Sequence, residues 1–290
     1  MLPLRLVSNP MKVVILTSFT LVAFAANSIL CRMALGGSLI DPVSFTTIRL
    51  VSGALALIFI SKLVGESKTP KSNNGSWGSG FALFAYAVAF SLAYVSLNTG
   101  TGALILFGTV QVTMIGTALK SGEKLGTAQW LGSFSAIGGL IYLVLPGISA
   151  PDPLGALLMC LSGVAWGAYS IRGKGVTAPV AMTAGNFLRS VPMAIIASLI
   201  ALSSVHWEAQ GVLLAIISGV ITSGLGYVLW YKVLRSLTTS QASVVQLLVP
   251  VIAAFGGIVF LSEQATLRLG IASALILGGV ALAVIKPALK

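Results

Sequence analysis

The chain has 290 residues, of which 57% are apolar and only 8% are charged, and its mean hydropathy is +1.01. A soluble domain carries about 25% charged residues, so this composition excludes an ordinary soluble protein and indicates a polytopic membrane protein. A net charge of +11 would suggest nucleic acid in a soluble protein. Here the placement of the basic residues explains the charge, and no nucleic-acid partner is expected.

Ten apolar runs follow one another along the chain, each about long enough to cross the roughly 30 Å hydrocarbon core of a bilayer. They lie at roughly 12–32, 42–62, 79–97, 101–120, 127–146, 153–171, 179–203, 210–231, 241–262 and 268–287. The runs are continuous and not alternating, which favours helices over the strands of a barrel. We therefore predict an all-α integral membrane protein with ten transmembrane helices, whose main surroundings are the lipid bilayer.

The first run has some features of a signal peptide. Arg5 and Lys12 precede it, and Ala23-Phe24-Ala25 resembles a cleavage site. The apolar run continues past that site, however, and Arg32 at its far end has a counterpart, Arg172, in the second half of the chain. We therefore predict that this run is a transmembrane span.

Two long stretches share a pattern of small polar residues, a long apolar run and a terminal glutamate. They are Leu97–Glu123 and Leu237–Glu263, which are 140 residues apart. The same offset relates other pairs along both halves: Arg32 and Arg172, Arg49 and Arg189, Gly116 and Gly256, and Gly138-Gly139 and Gly278-Gly279. Several matches at one offset indicate an internal duplication. We predict two homologous halves, 1–146 and 147–290, with five spans each.

The basic residues predict the orientation of the spans. If the N-terminus is cytoplasmic, 13 of the 17 lysines and arginines fall on the cytoplasmic side, as the positive-inside rule requires. Both termini are therefore expected in the cytoplasm. Because five is an odd number, the second half is inverted relative to the first. Inverted repeats are typical of secondary transporters and predict alternating access.

Three stretches resemble one transporter family: GVAWGAYSIRGK at 163–174, GYVLWYKVL at 226–234 and SLTTSQASVVQLLVPVIAAFGGIVFLSE at 236–263. They are similar to the EamA family of the drug/metabolite transporter superfamily, and within it to YddG-type exporters of aromatic and other amino acids. The resemblance covers nearly the whole chain. It implies a bacterial inner-membrane protein with a central cavity lined by spans 1–4 and 6–9, and with spans 5 and 10 at the periphery.

Aromatic side chains lie at helical spacing on the predicted cavity helices. The candidates for substrate contact are Tyr86, Tyr94, Trp166, Tyr169 and Trp230. Aromatic rings offer apolar area, and Tyr and Trp add a polar group that could orient a solute. Ordinary helix packing or an interfacial belt would also explain them.

Four amide side chains are embedded in the spans: Asn27, Gln111, Asn186 and Gln246. Polar groups within a bilayer need partners. Amides could hydrogen-bond both the ammonium and the carboxylate of a zwitterion, which makes these four residues candidate cavity residues. The alternative is hydrogen bonding between helices.

Two arginines and two prolines complete the candidates. Arg49 and Arg189 are the in-span charges away from span ends; each could capture a substrate carboxylate or clamp the carbonyls of a helix end, and the clamp is favoured. Pro192 and Pro250 each remove a backbone donor, which would free the carbonyls of Leu188 and Gln246. These prolines are hinge candidates, although a packing kink explains them as well.

The sequence places no carboxylate within a span, and the lone histidine, His206, lies in an outer loop. Motifs of nucleophilic and zinc enzymes do not occur, so we expect a transporter and not an enzyme, with no metal or cofactor. The predicted function is export of amino acids, aromatic and other neutral, or of similar small metabolites, down their gradient by a monomer. The alternative is an exporter of other metabolites or drugs, with or without proton coupling. Cys31 and Cys160 are expected to be free packing residues.

Overall fold

A computed structural model describes residues 10–66, 74–120, 126–145, 147, 150–237, 242 and 245–284. These residues are almost entirely helical, and over them the only extended pairing is a single bridge between Ile40 and Trp207. Glu123, the predicted repeat partner of Glu263, lies outside the described residues.

The described residues form eleven α-helices. Their bounds are α1 Pro10–Gly36, α2 Pro42–Leu63, α3 Trp77–Tyr94, α4 Thr99–Lys120, α5 Thr127–Val144, α6 Pro153–Arg172, α7 Pro179–Ile200, α8 Ala209–Ile217, α9 Gly226–Leu234, α10 Leu248–Leu261 and α11 Leu267–Val284. A π-helical segment, Ser218–Leu225, joins α8 to α9, so the three form one run of 26 residues.

Seven helical runs are long and apolar enough to cross a membrane, namely α1, α2, α3, α4, α6, α7 and the α8–α9 run. Helices α5, α10 and α11 are apolar but shorter over the described residues. The multi-pass membrane character is therefore confirmed. The count of ten spans and the two inverted halves, 1–146 and 147–290, stay predictions.

Short polar loops fix where several helices begin. Asp41 precedes Pro42 at the start of α2, and its Oδ1 accepts hydrogen bonds from Val43 N at 3.1 Å and Ser44 N at 2.8 Å. Asp152 does the same for α6, accepting from Gly155 N at 2.6 Å. A carboxylate satisfies the free amide donors of a first turn, and proline at that turn loses no hydrogen bond.

Helices α5 and α11 pack on each other beside α4, away from the other helices. Gly139 and Gly279 allow the close approach, because a Cβ on Gly139 would come within 2.8 Å of Leu275 Cβ and one on Gly279 within 2.6 Å of the Gly132 carbonyl oxygen. Close backbone contact at small residues drives helix association in bilayers. The neighbouring Gly278 makes no such contact, because a Cβ there would meet open space.

The remaining helices enclose a core of large side chains. Helix α2 packs on α7, α3 on α6, and α1 on α9 and α10. The largest fully buried side chains include Arg49 together with Trp166, Trp230, Tyr94, Tyr169, Tyr227 and Tyr231. Over the described residues, the centre of the protein is therefore aromatic and contains the buried cation of Arg49.

Candidate functional site

The centre of the bundle is organised around Arg49, which α2 carries into the core with only 1% of its surface exposed. Its Nη2 donates to Tyr227 Oη at 2.7 Å and to Tyr86 Oη at 3.2 Å, and its Nε donates to Ser223 Oγ at 2.8 Å. The guanidinium carbon lies 5.3 Å from the ring centroids of both Tyr86 and Phe90. Three helices and the π-helical segment therefore meet at one cation.

The Arg49 charge has no carboxylate partner among the described residues, and its Nη1 has no hydrogen-bond partner there. Hydroxyl groups and ring faces solvate the cation only in part. A buried cation without a counter-charge is costly, and it attracts an anionic group that can take up the remaining donor. The arrangement can therefore bind a carboxylate.

Neither arginine makes the favoured helix-end clamp. Arg189 Nη1 donates to the carbonyl oxygen of Asn74 at 2.6 Å, in the loop before α3, and to that of Gly185 at 2.9 Å, one turn back in its own helix. Arg49 lies eight residues into α2 and donates to side-chain oxygens. The clamp was wrong for both because sequence gives an arginine's position along the helix but not the groups that face it.

Asn27 joins the same cluster from α1. Its Nδ2 donates to Tyr86 Oη at 3.3 Å, and its Oδ1 accepts from Ser218 Oγ at 2.7 Å and Thr222 Oγ1 at 3.0 Å. Asn27 is thus held between α3 and the π-helical segment, next to the Arg49 partners.

Aromatic rings close around these polar groups. Trp166 lies 4.7 Å from Tyr227, 5.0 Å from Tyr86 and 5.3 Å from Phe24, measured between ring centroids. The cavity that Asn27 and these rings line has a volume of about 10 Å³, which is at the limit of room for one water. The site is closed, so a solute can enter only after the helices move apart.

Three predicted candidates, Asn27, Tyr86 and Trp166, line this cavity. Three more lie at its edge. Gln246 Oε1 accepts from Trp166 Nε1 at 3.1 Å, Tyr169 stacks on Trp166 at 5.5 Å, and the Trp230 ring lies 5.7 Å from that of Phe24.

The other three candidates lie elsewhere. Tyr94, the last residue of α3, meets Phe90 edge to face at 4.7 Å between ring centroids, and its hydroxyl donates to the carbonyl oxygen of Thr99, where α4 begins. Asn186 accepts from Ser76 N at 3.0 Å, at the start of α3. Gln111 is buried on α4 and does not line the cavity. None of these three lines the cavity.

The hinge candidates differ in their surroundings. Pro192 lies inside the continuous helix α7. Pro250 lies in the first turn of α10, and the chain turns at 246–247, so the predicted span 241–262 is not one unbroken helix. The Gln246 carbonyl was expected to be free, but it accepts from Val249 N at 3.0 Å, because the turn brings a different donor to it.

Glu263, which follows α10, ties together the end of the bundle that the basic residues predict to be the outer one. Its carboxylate accepts from Thr99 N at 2.8 Å and from Thr99 Oγ1 at 2.9 Å, and it pairs with Arg32 Nε at 3.6 Å. Arg32 Nη1 also donates to the carbonyl oxygens of Tyr94 and Val95. One carboxylate thus connects the ends of α1, α3, α4 and α10.

Comparison with known proteins identifies the family. The EamA-like transporter family matches residues 153–285. An uncharacterized protein of Pseudomonas aeruginosa is 48% identical over 271 residues, which cover 93% of this chain and 94% of that protein. The chain belongs to the EamA-like transporter family. This is a family of transporters and not of enzymes.

More distant relatives agree with this membership. The uncharacterized transporter YoaV of Bacillus subtilis is 26% identical, over 83% of this chain and 86% of its own length. A solved crystal structure superposes with a TM-score of 0.64 over 92% of this chain and 95% of that one, at 20% sequence identity. At that identity the likeness shows the fold alone.

The hydroxyl residues of the π-helical segment are one part of the site that sequence reasoning missed, as are Phe24 and Tyr227 of the cavity lining. Ser218, Thr222 and Ser223 bind Asn27 or Arg49. Small hydroxyl residues within a span are usually satisfied by a carbonyl one turn back, as Thr222 is by Ser218 O at 3.0 Å. The available signal was the concentration of Ser, Thr and Gly in SGVITSGLG (218–226), since π-helical turns are frequent at functional sites.

Proposed function

We propose that this protein is an inner-membrane secondary transporter that exports amino acids, aromatic and other neutral, or similar small metabolites, as YddG-type exporters do. The observation that carries the proposal is the buried Arg49, whose Nη1 has no hydrogen-bond partner and whose guanidinium has no carboxylate partner among the described residues. Its other nitrogens bind Tyr86 and Tyr227, which line the aromatic cavity. Membership of a transporter family supports the transport activity in this proposal. The chemistry of the Arg49 cluster supports the substrate class.

The chemistry of the centre matches an amino acid group by group. The substrate carboxylate would bind Arg49 Nη1 as a charge-assisted hydrogen bond. The ammonium group would meet the oxygen atoms of Asn27, Tyr86 and Tyr227, and the rings of Trp166 and Phe24 would pack on the side chain. A phosphorylated solute would need more cations than this centre offers.

The closed cavity and the ties at both ends support alternating access. Glu263 holds the outer end through Thr99 and Arg32. On the predicted cytoplasmic side, Glu66 Oε2 accepts from Val180 N at 2.9 Å, and Arg189 holds the Asn74 carbonyl. Transport then consists of releasing one set of ties while the other stays closed, with both termini in the cytoplasm.

We propose facilitated export without an ion gradient. The described carboxylates lie at helix starts, helix ends or loops, as Asp41, Asp152 and Glu263 illustrate, and none faces the Arg49 cluster. A proton or sodium ion would therefore find no acidic site in the described part of the centre.

Counterflow in proteoliposomes tests this function. Liposomes are loaded with unlabelled phenylalanine, threonine or buffer, and entry of labelled phenylalanine is followed without any ion gradient. We expect exchange that 3-phenylpropionate inhibits and phenethylamine does not, because only the former keeps the carboxylate. Folded protein that exchanges no amino acid would overturn the proposal and favour other metabolites or obligate proton coupling.

A further inference from the structure

A second cavity lies between α2 and α7, and its lining residues on α2 are nine to thirteen residues beyond Arg49, toward the end of that helix. It has a volume of about 270 Å³, close to the lower end of the roughly 300–1,000 Å³ range of small-molecule sites. Its lining combines the cations Lys62 and Arg189 with the apolar residues Ile58 and Leu188. Lys62 is in the last turn of α2, on the side predicted to be cytoplasmic.

Among the described residues, neither of the two cations has a carboxylate partner. The ion pair found there joins Arg32 to Glu263 instead. Lys62 is exposed, and Arg189 is half-buried and uses Nη1 for two carbonyl oxygens. Glu66, the described acid at this end, is already bound to Val180 N and Ala181 N. The pocket therefore offers positive charge to an anionic group.

Exposed apolar side chains run from this pocket toward the bilayer centre on both helices. On α2 they are Phe59 and Leu55, one and two turns before the end of the helix. On α7, Leu188 lines the pocket, and Ile195 and Leu199 follow it on the same face. The cations thus stand at the head of an apolar groove that would lie in the acyl region of a membrane.

We propose that this pocket binds the headgroup phosphate of an anionic phospholipid, with an acyl chain along the groove between α2 and α7. A basic pocket between helices on the cytoplasmic side, joined to apolar surface, matches the two parts of such a lipid. A zwitterionic lipid carries its own ammonium group and gains less from Lys62 and Arg189. The site is independent of the transported solute.

Native mass spectrometry of the purified protein tests the proposal. The protein is mixed with equal amounts of phosphatidylglycerol and phosphatidylcholine, and the lipid that stays bound is counted. We expect a preference for phosphatidylglycerol, and binding about fivefold weaker in Lys62→Gln, because one cation near the membrane surface is removed. Lys62→Glu should weaken binding further. Lys62 is exposed, so both variants should fold.

Lys232→Gln is the matched control, since it removes one exposed cation from the predicted cytoplasmic end without touching this pocket. Equal losses in Lys62→Gln and Lys232→Gln would overturn the proposal, as would equal retention of the two lipids. Displacement of phosphatidylglycerol by millimolar inorganic phosphate would also overturn it, because the pocket would then be a site for free anions. Counterflow is unaffected by these outcomes, so the two proposals can fail separately.

Discussion

Arg49 and Arg189 stand 140 residues apart at matching positions of the predicted repeat, but their surroundings differ. Arg49 is fully buried among aromatic hydroxyls and has a free Nη1. Arg189 is half-buried at the rim of an open pocket, with Nη1 bound to two carbonyl oxygens. Arg49 thus keeps one unpaired hydrogen-bond donor in the core, whereas Arg189 holds the loop before α3 to α7.

The neighbours of Arg49 extend this difference. At the same offset, Asn27 corresponds to Gly167, Tyr86 to Gly226 and Trp166 to Ala26. These three groups of the centre thus have a small residue at the matching position. In the predicted duplication, one site can therefore be asymmetric, because the second copy of these positions is free to serve helix packing.

The largest expected effect is the loss of transport in Arg49→Gln. Removing the charge should lower phenylalanine counterflow about 30-fold or more, since the substrate carboxylate loses a buried charged partner. Arg189→Gln should lower the thermal stability in detergent but change counterflow only a few-fold. Counterflow rates and unfolding temperatures of both variants check this pair. Equal loss of transport in two folded variants would break the distinction between the arginines.

The same residues show how much of the fold and of the candidate site can be predicted from the sequence. Hydropathy predicts the helices well, because a span is a property of some 20 residues taken together. Helical spacing also brought out Tyr86 and Trp166, which do meet in the centre. The rotation of each helix about its axis depends on neighbours far along the chain, so Tyr94 and Asn186 were assigned to a cavity that they do not line. Helical periodicity does not predict individual side-chain contacts, such as the hydrogen bond from Arg49 to Ser223.

The aromatic lining should matter next. Trp166→Ala is expected to lower counterflow about tenfold, because it removes ring contacts with Phe24, Tyr86 and Tyr227. Tyr94→Ala should lower it only about twofold, since that ring lies on Phe90 outside the cavity lining. Rates are normalised to folded protein in the liposomes. Unchanged rates in both variants would remove the aromatic centre as the substrate site.

A smaller effect is expected at the outer tie. Glu263→Gln weakens the hydrogen bonds from Thr99 and the pair with Arg32, because neutral acceptors bind such donors less strongly. In a Cys160→Ser background, maleimide labelling of the buried Cys31, next to Arg32, should become several-fold faster. Glu208→Gln, in an exposed outer position, should leave labelling unchanged. Identical labelling in the two variants would mean that Glu263 does not hold this end closed.

The smallest expected effect concerns Pro192, which interrupts the hydrogen bonding of α7 two turns before its end. Pro192→Ala restores a backbone donor for the Leu188 carbonyl and stiffens the helix. If α7 bends there during opening, counterflow should slow about twofold at saturating phenylalanine while the half-saturating concentration stays the same. Pro179→Ala is the control, because a proline in the first turn of a helix removes no hydrogen bond. A changed half-saturating concentration would instead mean that Pro192 affects solute binding. An unchanged rate would mean that Pro192 only affects helix packing and that α7 does not bend there during transport.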